Sequence, residues 1–313
     1  MLKNILIGFL LLILAIVLVL VAFIGIANMG IGAKELSEED LSKEWLASLH
    51  DDTKINELYI PGTHDSGALY SFFGISGKCQ SYVIEDQLNM GVRFFDIRLQ
   101  LRENELMVVH SFVDQKQSFE SVLKTVNEFL VAHPSEFVIM SIKQDADSEN
   151  SNIPFENAVE KMLDSQLGSI LSKEGFLPST IGGARGKVHI ISRYANSSLG
   201  VPASNGWHDS TSFELGNMYV QDYYAISDIE AKMNDIRSAF DVSKKQKYSL
   251  VLNFTSCYLE DGFPPAHAPT TAKKINPQLL EILRSRQAAP CVFLCDFVTP
   301  ELAKAIIENN FNK

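Results

Sequence analysis

Short apolar runs alternate with amphipathic stretches along most of the chain after residue 50. The apolar runs predict strands at Glu57–Ile60, Val92–Leu99, Leu106–His110, Phe137–Lys143, Val188–Arg193, Met218–Gln221, Leu250–Phe254 and Val292–Asp296. Helical spacing of apolar residues predicts helices near 82–90, 118–132, 155–166, 225–240, 276–287 and 300–310. This alternation is typical of an α/β fold with a largely parallel sheet. The number of strands favours a closed barrel over an open sheet.

Local signals refine the ends of these elements. Asn276-Pro277 and Thr299-Pro300 each predict a helix start, with a capping residue followed by proline at the first helical position. Residues 28–50 are charged and are interpreted as a helical lead-in. Residues 195–214 are rich in Ser, Asn and Gly and predict a long loop over one face of the barrel.

The N-terminus carries an unbroken apolar stretch, Ile5–Ala27, of 23 residues. About 20 helical residues cross the hydrocarbon core of a bilayer. Lys3 precedes the stretch and the acidic run 35–40 follows it, which predicts a cytoplasmic N-terminus and an extracytoplasmic remainder. An uncleaved signal-anchor fits the length, and cleavage near Gly32–Ala33 is the alternative. The predicted domains are this segment, residues 1–33, and one catalytic barrel, residues 34–313.

Composition narrows the function classes. The chain has 313 residues and a net charge of −11, so it has no general electrostatic attraction to nucleic acid or to anionic membrane surfaces. Its four cysteines, Cys79, Cys257, Cys291 and Cys295, have neither disulfide-scaffold density nor zinc spacing, and buried free thiols are expected. We expect a monomer without a cofactor.

Titratable side chains follow or end most of the predicted strands. In an α/β barrel, chemistry is located where the strands reach their C-terminal edge. A single polar residue there is ordinary, but a series over successive strands is not explained by solubility. The residues in this position are His64, Asp96, Arg98, His110, Lys143, Arg193, Asp222 and Asp296.

Two histidines are candidates for acid–base chemistry. His64 lies in IPGTHDSG (60–67), where Pro and Gly predict a tight turn after a strand, with Asp65 beside it. His110 ends an apolar strand. Each alone is also compatible with a structural histidine in a turn or core. Asp296 closes another apolar strand and could hold an imidazole in the required tautomer.

A second string, GVRFFDIR (91–98), places Asp96 and Arg98 on the same side of one strand. Two charges facing a barrel interior are costly unless they are paired or functional. A planar guanidinium is suited to binding phosphate oxygens. A buried structural ion pair is the alternative for Asp96.

Together, these strings and the strand ending at His110 resemble the catalytic X domain of phosphatidylinositol-specific phospholipase C, particularly the small bacterial enzymes. The resemblance is strongest over residues 57–145 and implies an irregular (β/α)8 barrel. It also implies that His64 is the general base and His110 the general acid, with Asp296 orienting His64 and Asp65 supporting His110. The substrate would be phosphatidylinositol or its glycosylated form, cleaved to diacylglycerol and inositol 1,2-cyclic phosphate.

Further matches concern the head group and the metal. The resemblance implies that Lys143, Arg193, Asp222 and Tyr224 bind inositol. Calcium-dependent relatives have an acidic residue where this chain has Arg98, so the resemblance and the guanidinium together predict a metal-independent enzyme. Phe72, Phe73 and Trp207 are loop aromatics that could contact a bilayer, although single surface aromatics are common.

Two other functions remain open from the sequence. A glycerophosphodiester phosphodiesterase also uses a barrel and two histidines, but it needs a metal bound by carboxylates, which Arg98 disfavours. A non-catalytic module that binds inositol lipids is the other alternative, and it would typically have lost one of the histidines or Arg98.

Overall fold

The computed structural model describes residues 2–72, 74, 76–175, 177–261 and 266–311. Its strands are β1 Ile60–Thr63, β2 Phe94–Arg102, β3 Glu105–His110, β4 Val113–Ser118, β5 Val138–Gln144, β6 Val188–Arg193, β7 Val201–Pro202, β8 Ser212–Leu215, β9 Met218–Gln221, β10 Ala225–Ile226, β11 Leu250–Phe254, β12 Tyr258–Leu259 and β13 Val292–Cys295. Its α-helices are α1 Leu2–Ala27, α2 Ile84–Asn89, α3 Phe119–Ala132, α4 Phe155–Leu167, α5 Ile181–Ala184, α6 Ile229–Ser243, α7 Ala268–Arg284 and α8 Pro300–Glu308.

The strands form a curled sheet in the order β7-β6-β5-β2-β1-β13-β11-β9-β8. From β7 to β9 each neighbouring pair is parallel, and β8 joins antiparallel at one end. Apolar faces of the helices pack on the outside of this sheet. The predicted irregular α/β barrel, preceded by an apolar helix, is confirmed. Its predicted closure is wrong for the described strands, because β7 and β8 at the two ends of the sheet do not pair with each other.

Side chains alternate between the inner and outer sides of each strand, and those on the inner side form two layers along the barrel axis. On β2, Phe94 belongs to the apolar interior cluster, whereas Phe95 and Ile97 pack outward against the helices. Asp96 and Arg98 therefore follow Phe94 on the inner side, because strand side chains alternate. Other strands repeat this pattern, with an apolar lower layer that includes Ile139, Ile191, Val220, Leu252 and Leu294. The charged residues lie above it, toward the C-terminal edge.

Two predicted strands differ from the structure. Residues 55–57 form a 3-10 helix, and the strand begins only at Ile60. The predicted tight turn at Pro61 and Gly62 is wrong, because both residues lie within β1 and the chain turns only after Thr63. The strand ending at His110 is not part of the parallel barrel: β2, β3 and β4 form an antiparallel meander. A two-residue turn at Glu103 and Asn104, both with positive φ, connects β2 to β3.

The predicted helix start at Asn276-Pro277 is wrong, whereas the start at Thr299-Pro300 is confirmed. Helix α7 begins eight residues earlier, at Ala268, with Pro269 in its first turn. Pro277 sits inside α7 on the exposed face, where water can reach the carbonyl left without a donor. Asn276 does not cap a helix, because its amide donates to the carbonyls of Asp296 and Phe297.

The lead-in and the long loop are also less regular than expected. Within residues 28–50 the structure has two 3-10 helices, Glu38–Asp40 and Trp45–Ser48, in place of an α-helix. The stretch 195–214 is mostly loop, although it contains β7 and the start of β8. All four cysteines are buried free thiols, as predicted.

Helix α1 is long and apolar enough to cross a membrane over Ile5–Ala27. The window that gives this result has none of its residues buried inside the protein. A core helix would be covered by other elements, so α1 has the properties of a signal sequence or a membrane anchor.

Candidate active site

One cavity of about 1050 Å³ opens at the C-terminal edge of the barrel. The sequence-predicted site residues that line it are His64, Arg98, His110, Lys143, Arg193, Asp222, Tyr224 and Asp296. Asp65 and Asp96 lie directly behind this lining, each with no more than 1% of its side chain exposed. The structure therefore brings all ten predicted residues to one place.

His64 is held from both sides of its ring. It follows β1, and its backbone N–H donates to the carbonyl of Cys295 on the neighbouring strand β13. Its Nδ1 lies 2.8 Å from Oδ1 of Asp296, and its Nε2 lies 2.7 Å from Nη2 of Arg98. A guanidinium can only donate, so Nε2 must accept and the ring proton belongs on Nδ1. His64 is therefore arranged with the lone pair of Nε2 toward the cavity, where it accepts from Arg98.

His110 has the opposite arrangement. Its Nδ1 lies 2.6 Å from Oδ2 of Asp65, which is almost completely buried. Burial alone would lower the pKa of His110, but the charge of Asp65 and its contact with the ring outweigh burial, and the pKa is raised. His110 is therefore stabilised in the protonated form.

Asp65 can reach His110 because of its backbone. Its φ of 46° is in the left-handed region, which aspartate tolerates better than most residues. The turn is held by a hydrogen bond from the Asp65 N–H to Oδ2 of Asp96, at 3.2 Å. It is also held by the Ser66 N–H, which donates to the carbonyl of Asp96. The sequence IPGTHDSG thus supplies one histidine, His64, and the adjacent carboxylate that pairs with the other, His110.

Arg98 is the central cation of the site. Its Nε lies 3.2 Å from Asp96 and 3.4 Å from Asp65, and its Nη1 lies 3.8 Å from Asp145. Burial disfavours the charge, but these three carboxylates more than compensate, and the pKa of Arg98 is raised well above its usual value. The guanidinium stays positive while 15% of the side chain remains open to the cavity.

Asp96 lies beneath two guanidinium groups. It is 3.2 Å from both Arg98 and Arg193 and has no exposed surface. Burial would raise its pKa, but the two cations hold it well below the usual range. Asp96 is thus a permanent anion that fixes both arginines on the inner face of the sheet.

Asp145 was missed by the sequence reasoning, although it follows β5 in the same way that other site residues follow their strands. Its carboxylate is 2.7 Å from Nζ of Lys143 and accepts the N–H of Ser111, the residue after His110. Burial opposes ionisation, but Arg98 and Lys143 lower its pKa to about 2. Asp145 therefore links β5 to the turn that carries His110.

Trp207 lies in the cavity, stacked on a site residue, and is therefore not a free surface aromatic. The guanidinium carbon of Arg193 lies 3.7 Å from the centre of its ring. Its Nε1 donates to Oδ2 of Asp222 at 3.0 Å. The pKa of Asp222 is raised, because burial outweighs the effects of Arg193 and Trp207. Of the other two aromatics, Phe72 is 48% exposed, and Phe73 lies outside the described residues.

Tyr224 forms the outer wall beside Tyr258, with ring centres 6.0 Å apart. Its hydroxyl donates to Asp209 at 2.8 Å. Burial and this hydrogen bond raise its pKa to about 12, so the phenol keeps its proton. Two aromatic rings at the rim provide a flat apolar surface next to the charged floor of the cavity.

Cys79 was also missed, and no local pattern marked it. Among the described residues it completes two groups with metal-ligand spacing, one with His64 and Asp296 and one with Asp65 and His110. Burial, reinforced by Asp296 and Asp65, raises the pKa of the Cys79 thiol well above its usual value. A protonated thiol is a poor ligand, and Arg98 already supplies a positive charge beside both groups.

Comparison with known proteins identifies a matching family model and curated relatives that cover most of the chain. Residues 55–187 match the family model for the X domain of phosphatidylinositol-specific phospholipase C. The chain is 25% identical over 293 residues to a 1-phosphatidylinositol phosphodiesterase of Listeria monocytogenes, covering 88% of each protein. It is 27% identical over 277 residues to the enzyme of that name from Staphylococcus aureus, covering 81% of this chain and 88% of the relative.

Solved structures share the fold. A phosphatidylinositol-specific phospholipase C from Staphylococcus aureus superposes with a TM-score of 0.75 at 22% identity, over 87% of this chain and 98% of the other. The Listeria monocytogenes phospholipase C superposes with a TM-score of 0.71 at 23% identity, over 86% and 99% respectively.

Proposed function

We propose that the chain cleaves phosphatidylinositol or its glycosylated form. It belongs to the X-domain family of phosphatidylinositol-specific phospholipases C. It is also homologous to bacterial 1-phosphatidylinositol phosphodiesterases over most of its length. The products are diacylglycerol and inositol 1,2-cyclic phosphate. The observation that carries the proposal is the pairing of two histidines on either side of Arg98: Nε2 of His64 accepts from Arg98 while Nδ1 of His110 lies against the buried carboxylate of Asp65.

His64 acts as the general base. The inositol 2-hydroxyl takes the place of Arg98 as the hydrogen-bond partner of Nε2 and gives its proton to that atom. Its oxygen then forms a bond to phosphorus. Asp296 stabilises the imidazolium that results, because Nδ1–H already points at its carboxylate. General base and general acid catalysis each contribute about 10²–10⁴-fold.

His110 acts as the general acid. As the bond from phosphorus to the diacylglycerol oxygen breaks, His110 donates its proton to that oxygen, and the lipid leaves as a neutral alcohol. Asp65 keeps His110 charged until then. Protons are balanced, since one is taken from the 2-hydroxyl and one is given to the leaving group. Hydrolysis of the cyclic product by water would exchange the two roles.

Arg98 stabilises the charge that develops on the non-bridging phosphate oxygens. Loss of a single preorganised donor of this kind costs about 10²–10³-fold in rate. Lys143, beside Arg98 in the sheet, adds a second cation on the same side. The positive charge is therefore provided by the chain itself, and we propose a metal-independent reaction.

The inositol ring is proposed to bind between the charged floor and the aromatic rim. Arg193 and Asp222 are held by Trp207 and present a donor and an acceptor toward the cavity. Tyr224 presents a ring face at the rim. A polyhydroxylated ring uses both kinds of contact, hydrogen bonds at its edge and an apolar face.

We further propose that the barrel acts outside the cytoplasm as a monomer. The charge distribution around α1 favours export of the barrel. Every residue assigned to the site comes from a single chain, so the proposed chemistry needs no second subunit.

Phosphorus NMR of phosphatidylinositol in detergent micelles, with the full chain and excess chelator, tests the proposal. We expect the signal of a cyclic phosphodiester to appear with chelator present and to vanish with His64→Ala. Absence of that signal with the unmodified protein would overturn the assignment. A reaction that stops on chelation would favour a metal-dependent phosphodiesterase.

A further inference from the structure

The segment that follows the apolar helix α1 is packed on the catalytic barrel. Asn28 is buried, with 2% of its surface exposed. Its Oδ1 accepts the N–H of His267 at 3.0 Å and lies 2.9 Å from the hydroxyl of Thr270. That hydroxyl is also 2.8 Å from the carbonyl of Ala27, the last residue of α1. The C-terminus of α1 is therefore bound by the first turn of helix α7.

Further contacts continue along the segment. The carbonyl of Ile31 accepts the hydroxyl of Ser81, and the N–H of Lys34 donates to the hydroxyl of Tyr82 at 3.1 Å. Gly30 lies against the ring of Phe297, where an added Cβ would be 2.7 Å from a ring carbon. Only glycine allows this approach without a shift. Side chains and backbone from three separate parts of the barrel thus hold residues 27–34.

This docked segment forms part of the active-site mouth. Residues 28–32 line the same cavity as His64 and Arg98. Phe297, against which Gly30 packs, follows Asp296 directly in the chain. Gly74 lies 3.5 Å from Gly25 of α1, measured from the position a Cβ would occupy. In the same loop, the exposed Phe72 stacks edge-on against Phe112 with ring centres 5.4 Å apart. The end of α1 and this aromatic pair therefore share one rim.

We propose that α1 is a membrane-spanning helix docked rigidly on the barrel, so that the active-site mouth opens onto the outer leaflet of the membrane that carries the helix. This rests on the proposed function and adds the source of the substrate. The apolar stretch ends at Ala27, so residues 28–32 lie at the level of the lipid head groups. Phosphatidylinositol of the same membrane can enter the cavity by lateral movement, without leaving the bilayer.

A flexible tether makes a different prediction. It would raise the local concentration of enzyme near its own membrane but leave the orientation of the mouth free. Docking fixes the orientation, so activity on the carrier membrane depends on the contacts of residues 27–34. Three side-chain hydroxyls that make these contacts, on Ser81, Tyr82 and Thr270, can be removed with little change in shape.

The experiment uses the full chain reconstituted in vesicles that contain isotopically labelled phosphatidylinositol. Protein-free vesicles with a second label are mixed with them, and both labels are counted in the released inositol phosphate. The test variant is Ser81→Ala/Tyr82→Phe/Thr270→Val. The matched control, Ser165→Ala/Tyr219→Phe/Thr125→Val, makes the same changes away from the segment. Rates in detergent micelles report whether each variant is folded and active.

We expect the unmodified protein and the control to cleave lipid of their own vesicles preferentially. The test variant should keep its micelle rate and lose at least about fivefold in its own vesicles, since one net hydrogen bond corresponds to about this factor. The proposal is overturned if the test variant matches the control in vesicles, or if the unmodified protein cleaves both vesicle populations equally.

Hydrogen exchange at the His267 amide supplies a readout independent of activity, because this N–H donates to Asn28 only while the segment is docked. We expect protection in the unmodified protein and faster exchange in the test variant, and equal exchange in both would refute docking. If no product forms even in micelles, the proposed function fails, and this measurement still decides whether α1 is docked.

Discussion

Nη2 of Arg98 lies 2.7 Å from Nε2 of His64, while Nε of the same guanidinium lies 3.4 Å from the carboxylate of Asp65. Since Asp65 also pairs with His110, Arg98 contacts His64 directly and is linked to His110 through a single carboxylate. A substrate hydroxyl that binds Nε2 must displace Arg98 from it, which frees that N–H for a phosphate oxygen. Binding and the redirection of Arg98 are therefore a single event.

Arg98→Lys should lower kcat by about 10²–10³-fold, because a lysine cannot bind the phosphate oxygens through a planar fork of N–H donors. Arg102→Lys is the matched control, since Arg102 lies on the same strand, is paired with Asp114, and is not among the residues lining the cavity. Initial rates on phosphatidylinositol micelles measure both. An Arg98→Lys variant with the kcat of the control would exclude Arg98 from charge stabilisation.

Asp296→Asn should lower kcat by about 10⁴-fold without a comparable change in KM, because an amide can hold His64 in the wrong tautomer. The control is Asp164→Asn, in which an exposed aspartate paired with Lys173 loses its charge. Steady-state kinetics separate kcat from KM. If His64 orientation did not depend on Asp296, the two variants would show the same kcat.

Asp65→Asn should shift the alkaline limb of the pH profile of kcat/KM to lower pH. His110 must be protonated to act as the acid, so activity falls as the pH rises through its raised pKa. Without the charge of Asp65, burial and Arg98 remain, and both lower that pKa. A full pH profile of the unmodified protein and the variant measures the limb. An unchanged alkaline limb would mean that another group is the acid.

Trp207→Leu should raise KM by about 5- to 30-fold, because Arg193 loses the ring that holds it. Trp207→Phe keeps a ring face and loses only the N–H to Asp222, so its KM should rise less. Micelle assays over a range of phosphatidylinositol mole fractions give both values. Equal effects of Leu and Phe would assign the role to the N–H instead of the stacked ring.

Glu136→Gln should destabilise the fold by about 3–5 kcal/mol, because it leaves the charge of Arg93 buried without its partner. Both side chains have no exposed surface, and their ion-pair distance is 2.8 Å. Breaking the exposed pair Lys173–Asp164 with Asp164→Asn should change stability by less than about 1 kcal/mol. Denaturant unfolding in detergent compares the two. Similar midpoints for both variants would contradict the prediction.

Strand ends were the features of the site that could be predicted from the sequence. Parallel strands all reach their C-terminal ends at the same edge of the barrel. Arg193 and Asp222 could therefore be placed together although they are far apart in the chain. Period-2 alternation likewise placed Asp96 and Arg98 on one face. These inferences need only local patterns and one rule of barrel geometry.

Features that depend on long-range packing could not be predicted in this way. Cys79 reaches the site through a loop whose path is set by contacts with distant strands, and it has no local signature. Trp207 lies in a stretch whose composition predicts an exposed loop, but in the structure its ring stacks on Arg193 inside the cavity. The strand ending at His110 is predicted as one more barrel strand, because its continuous apolar run, residues 106–109, is typical of a parallel strand although it pairs antiparallel with β2.

The two layers inside the barrel place opposite demands on the protein, because the lower layer favours thermal stability and the upper layer favours catalytic activity. Apolar residues such as Phe94 and Ile139 hold the strands together, whereas the layer above consists of paired charges whose removal from water costs the folded state free energy. Replacing whole groups of paired charges in that upper layer by apolar residues of similar volume would therefore raise the melting temperature while abolishing turnover, whereas removing a single partner would lower it. In a library that replaces whole groups of these side chains and is screened only for heat resistance, the charged cluster should be the first part of the molecule to disappear.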